Sequence, residues 1–244
     1  MKIKVLFPVL LLCIAASCNS SGGKDKKSDA SNIADALLAP TLKILGSFVG
    51  DFGDNKITLL ITKASGDTIE GRSVVGGNDR PFSGTFKNTG DVYAITASEP
   101  GDDKYDGVFN ISIDVTKPDV ITGSWTPNKP GENLAAKRFT LERKAFRYLQ
   151  DVGMYPDASK RLLKEADVEN LMKPELQQMR NEIFARHGYC FKKKDLREEF
   201  ENKDWYIPNT VDVKKDLTEI EKKNIALIKK YEKYAEDYGD DFGR

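Results

Sequence analysis

Histidine occurs once in these 244 residues and cysteine three times, and the 38 basic residues match the 38 acidic ones. A single imidazole, His187, lacks the company that a histidine-built zinc site or a catalytic dyad requires. Balanced charge means no broad basic field, which argues against nucleic acid as a main partner. No set of residues spells out a catalytic reaction, a metal site or a cofactor. The apolar run Val5 to Ile14, interrupted by Pro8, is too short for a permanent membrane span, which needs about 20 residues. The expectation is a protein that is not an enzyme and needs no cofactor.

What is present begins at Met1. Lys2 and Lys4 precede the apolar run, and the small residues Ala15-Ala16-Ser17 lead into Cys18. This is the layout of a secretory leader. Ala15-Ala16-Ser17-Cys18 resembles the lipobox of bacterial lipoproteins, which implies cleavage before Cys18 and acylation of its thiol. Several acyl chains give a stable anchor, each buried methylene adding roughly 0.8 kcal/mol. No aspartate follows Cys18, so the resemblance implies the outer membrane. Residues 1–17 are read as the leader and 18–40 as a flexible tether, rich in Ser, Gly, Lys and Asp. Cys13 leaves with the leader and Cys18 carries lipid, so no intramolecular disulfide can form. Cys190, between Tyr189 and Phe191, reads as a buried, inert thiol.

From Phe48 to Arg143 the chain alternates with period two between turn signals, the mark of antiparallel strands, and 41–144 is read as an antiparallel β domain. Ile57, Leu59 and Ile61 share one face, as do Phe109, Ile111 and Ile113. About eight short strands make a meander that forms a small barrel or a sandwich. Gly71, Gly84 and Gly123 interrupt strands in mid-run, which suits a tightly curved barrel. The architecture is similar to lipocalin- and avidin-like barrels, so carriage of a small ligand is the alternative function. The large alternating residues favour a barrel filled by its own side chains. The acidic loop Glu99-Pro100-Gly101-Asp102-Asp103 lacks calcium-loop spacing and reads as a solvated hairpin.

Beyond Arg143 the spacing becomes helical and the charge density rises, giving an α+β chain with a small α-helical domain at 145–235. Pro174 suits a first turn, Leu176, Met179, Ile183 and Phe184 an apolar face, and Gly188 a stop. A second helix is predicted from Asp195 through Phe200. Asp216 and Glu219 form a candidate capping box for a third, with Leu217, Ile220, Asn224, Leu227, Ile228 and Tyr231 as its stripe. Residues 236–244 form an acidic tail.

The run Arg180-Asn181-Glu182-Ile183-Phe184-Ala185-Arg186-His187-Gly188-Tyr189-Cys190-Phe191 resembles the motif that names the YARHG domain of bacterial exported proteins, with Phe184 in place of its tyrosine. The likeness continues through Phe200, Trp205-Tyr206, Pro208 and Glu219 to Ile225. It implies an extracytoplasmic interaction module and no reaction. Peptidoglycan or an envelope protein is the partner expected, besides the membrane reached through the lipid.

The residues favour a structural part for much of the motif. His187 beside a helix-ending glycine most often hydrogen-bonds to backbone or carboxylate. An inward arginine, among Arg180 and Arg186, needs a carboxylate such as Glu182, Glu198, Glu199 or Glu201. Trp205 and Tyr206 read as core lids, with a sugar platform as the rival. Lys192-Lys193-Lys194 reads as a solvated face. Hydrolysis by His187 with Glu182 or Cys190 is the remaining rival; the side chains of His187 and Cys190 are expected to diverge across a helix end.

Overall fold

The computed structural model describes residues 43–129 and 135–238. Cys18 and the tether lie outside the described residues, as does most of the tail. Eight antiparallel strands run in sequence order: β1 (Gly46–Phe52), β2 (Asn55–Ser65), β3 (Thr68–Val75), β4 (Asn78–Asn88), β5 (Val92–Ser98), β6 (Gly107–Asp114), β7 (Val120–Pro127) and β8 (Lys137–Arg143). Each pairs with the next, and β8 returns to β1 to close a barrel. Of the barrel and the sandwich, the sheet is therefore the barrel. Its seam is short, with Phe48 opposite Arg143 and Val49 opposite Glu142. Arg143 spans it by donating from Nη1 to the Leu45 carbonyl, and the Lys144 N–H donates across it to the Ser47 carbonyl (2.9 Å).

Alternation along each strand sends one side inward. Phe48, Leu59, Ile69, Phe82, Ile95, Phe109, Ile111 and Leu141 belong to one continuous buried cluster. Curvature is obtained where side chains are missing: a Cβ on Gly84 would strike the Thr96 carbonyl and the Ala97 backbone. One expectation fails here. Glu99 is buried rather than solvated, because its carboxylate turns in to meet Ser73, Trp125 and Gly107. Thr58, on the outward face of β2, is also buried, as is its cross-strand partner Val74.

The helical segment covers that outward face. It comprises α1 (Asp157–Lys160), a 3-10 turn at Glu165–Asp167, α2 (Lys173–Arg186), α3 (Lys194–Glu201) and α4 (Glu219–Tyr238). Thr58 Oγ1 donates to the Pro208 carbonyl (2.5 Å), the Lys56 N–H to Glu201 (2.9 Å), and the Gly77 N–H to the Cys190 sulfur (3.1 Å). Two apolar clusters hold the helices together. Val168, Leu176, Met179, Ile183, Ile225 and Ile228 join α2 to α4, while Phe191, Phe200 and Tyr206 pack beneath α3. No helix among the described residues is long and apolar enough to cross a membrane.

Candidate functional site

Helix α2 starts at Pro174 in its first turn, with the Glu175 carboxylate accepting the Met172 N–H (2.8 Å). It ends at Gly188, whose φ of 72° lies in the left-handed region that favours glycine. A Cβ there would also press on Phe146 and Asn209. Three motif side chains on this helix turn inward. Arg186 donates to the Val152 carbonyl (2.9 Å), to Ser159 Oγ (3.1 Å) and to Glu182 (2.9 Å). Glu182 also accepts the N–H groups of Met154 (2.8 Å) and Tyr155 (2.9 Å). Both side chains are enclosed, and each of the three guanidinium nitrogens finds an acceptor, which offsets the cost of burying the pair. Burial draws the guanidinium of Arg186 below its usual value, and Glu182 opposes that pull.

His187 Nε2 lies 2.8 Å from Glu221 Oε2 and its ring stacks on Tyr148, with centroids 4.3 Å apart. Glu221 also accepts from Tyr148 Oη (2.9 Å), Ser159 Oγ (2.7 Å), the Thr218 N–H (2.9 Å) and Thr218 Oγ1 (3.0 Å). Burial works against its ionisation. Hydrogen bonds from His187, the Thr218 backbone and Ser159 outweigh that and bring the carboxyl down to about 2. An ionised carboxylate only accepts, so Nε2 carries the proton. The network thus runs from Arg186 through Ser159 and Glu221 to His187, closing α1, α2 and α4 on one another.

Glu221 is the member that sequence reasoning missed. The cap of α4 pairs Thr218 with Glu221, since the Glu221 N–H donates to Thr218 Oγ1 (3.2 Å); Asp216 with Glu219 is not the box. Thr218-x-x-Glu221 fits the same spacing rule and was the signal available. Asn224, also buried, accepts from the Leu163 N–H (2.9 Å) and donates to the carbonyls of Ala158 (2.8 Å) and Arg161 (2.7 Å).

Cys190 stands away from this network, against β3 and β4 at Gly77. Burial pushes its thiol up to about 11. Among the described residues no group of three or more His, Cys, Asp and Glu side chains is placed to hold a metal ion.

Part of the motif borders an open groove. Arg180, Asn181, Phe184 and Tyr189 line a groove of about 520 Å³ together with Lys193 and Lys214. Its floor is apolar and aromatic, and lysine ammonium groups stand exposed at its rim. Arg180 donates to Glu232 on α4 (2.7 Å), which fixes one wall. Trp205 does not line this groove. It packs edge-on against Phe200 and Tyr206, whose hydroxyl donates to the Tyr189 carbonyl (2.8 Å). Of the motif and its extension, then, Glu182, Arg186, His187 and Tyr206 are interior, and Gly188 is the turn.

Residues 152–233 match the family model of the YARHG domain. This segment is a YARHG domain. It contains both the buried network and the groove, and Phe184, where the family name carries tyrosine, sits in the groove wall. No curated protein and no solved structure matches the chain.

Proposed function

We propose that the chain is a lipid-anchored, non-catalytic binding protein of the bacterial outer membrane, whose YARHG domain holds peptidoglycan in the Phe184 groove. One observation carries the reading: the motif divides its labour. Glu182, Arg186 and His187 are consumed by internal hydrogen bonds, while Arg180, fixed by Glu232, lines an open groove with Asn181, Phe184 and Tyr189. Aromatic walls suit sugar faces, and the lysine rim suits the carboxylates of stem peptides. His187 is engaged by Glu221 and covered by Tyr148, and Cys190 is buried elsewhere, which favours binding over hydrolysis. The leader-like start and Cys18 support the anchor. Cys18→Ala is expected to release the protein from membranes, and persistent membrane association would refute the anchor.

The test of the groove is co-sedimentation of the full chain with purified sacculi at low salt. A Lys193→Glu/Lys214→Glu variant changes the rim without touching the buried network. Retention of the wild type, weakened about tenfold in the variant, supports the reading, since one decade corresponds to about 1.4 kcal/mol. If the wild type is not retained, peptidoglycan is the wrong partner, and an envelope protein should be sought by crosslinking at the groove.

A further inference from the structure

One end of the barrel is not filled. A cavity of about 350 Å³ opens there, beneath the loop that joins Tyr189 to α3. This volume lies within the range of small-molecule sites, about 300–1,000 Å³. Its floor is made by the rings of Phe52, Phe109 and Trp125, with Phe52 and Trp125 edge to face and centroids 5.8 Å apart. Glu99 stands at the floor, but its oxygens already accept from Ser73, from Trp125 Nε1 (3.0 Å) and from the Gly107 N–H (3.1 Å).

The rim carries four cationic side chains: Arg80, Lys137, Lys192 and Arg197. Of these four, only Arg80 has a carboxylate within ion-pair distance among the described residues, that of Asp106 at 2.9 Å. Arg197 gives its hydrogen bonds to neutral oxygens, the Asn55 side chain (2.8 Å) and the Lys192 carbonyl. Lys137 lies over the Phe52 ring, 4.6 Å from its centroid. Neither Lys137 nor Lys192 has a carboxylate within ion-pair distance among the described residues. Three positive charges without a bound counter-charge therefore border one aromatic-floored hole. Such a field, over low-dielectric walls, concentrates anions.

We propose that this barrel mouth binds a small organic anion, its charged group held by Lys137, Lys192 and Arg197 above the almost wholly buried rings of Phe52 and Trp125. Lys192 and Arg197 come from the YARHG domain, so the site is complete only where the domain meets the barrel. It shares Lys192 with the lining of the Phe184 groove, and its other residues are its own.

The probe is 8-anilinonaphthalene-1-sulfonate, titrated into the full chain carrying Trp205→Phe, so that Trp125 is the only indole reporting by energy transfer. Its uncharged counterpart, N-phenyl-1-naphthylamine, tests the need for the anion. The expected result is single-site, saturable binding of the sulfonate. Lys137→Glu should weaken it by about tenfold, roughly one lost charge contact. Lys137→Gln should weaken it less, and Lys233→Glu, a distant charge reversal, should leave it unchanged. Circular dichroism establishes that each variant is folded, and the Gln variant serves if the Glu variant is not. Equal binding of the uncharged probe, equal binding by both Lys137 variants, or no saturable binding would overturn the proposal.

Discussion

Nε2 of His187 lies 2.8 Å from Oε2 of Glu221, linking the C-terminal end of α2 to the first turn of α4. Glu221 is fully buried and His187 nearly so. Replacing the imidazole leaves that carboxylate enclosed with one donor fewer and opens space beneath Tyr148. His187→Ala is expected to cost about 2–4 kcal/mol, the range for breaking a buried charged hydrogen bond. Urea denaturation measures it. A loss below about 0.5 kcal/mol, the size of an ordinary surface change, would contradict the structural part given to His187.

Two carboxyl groups predict opposite pH dependences. The Glu221 carboxyl is held at about 2, below the unfolded value near 4.3. Its contribution is present above that unfolded value and is lost as pH falls toward 2. Glu201, at the barrel contact, is pushed up to about 7, chiefly by burial. Its contribution is present below the unfolded value and is lost as pH rises through 7. The wild type should therefore be most stable on the acid side of neutrality. Melting temperatures across pH check both. Glu201→Gln should remove the decline toward alkaline pH, and Glu221→Gln the decline toward strong acid. An unchanged profile in either variant would rule out that group.

Gly84 should tolerate no side chain. Its position against the Thr96 carbonyl leaves a methyl group only backbone to displace. Gly84→Ala is expected to cost about 1–3 kcal/mol, as overpacking does. Chemical denaturation of the variant checks it, and a neutral result would mean that strand curvature does not depend on this close approach.

Cys190 should be inert in the folded protein. Its sulfur accepts the Gly77 N–H, and its thiol, pushed up to about 11, is almost wholly protonated near neutrality. Labelling by a thiol reagent should proceed only as fast as the contact between barrel and YARHG domain opens. Rapid stoichiometric labelling of the native protein would show that the contact is not formed in solution.

The strands and helices were legible because their periodicities differ and each side chain votes locally. Ile57-Thr58-Leu59 reads correctly as in-out-in, and the mid-strand glycines signal curvature. Burial of Thr58 could not be read, because what covers an outer face belongs to a distant part of the chain. The cap of α4 was ambiguous for a similar reason. Asp216/Glu219 and Thr218/Glu221 satisfy the same spacing, and the choice is made by His187, a tertiary partner. Which of Arg180 and Arg186 turns inward was left open; Arg186 does, and of the candidate carboxylates Glu182 on the preceding turn is its partner. The groove was not legible. Lys193 looked like part of a solvated face, and the stretch from Val211 to Lys214 has no periodicity to mark it as a wall. Trp205 drew attention by its type, yet it is packed on the edges of two other rings.

The return of β8 to β1 has a consequence for crowding. An open sheet of eight strands would present two rows of unpaired amide and carbonyl groups, each able to recruit a strand from a neighbouring molecule. Closure removes both rows, so many copies packed side by side offer one another no template for polymerisation. The exception is the seam, where only two residue pairs join the ends. If copies ever exchange strands or grow into fibres, the zipper should open first at Arg143.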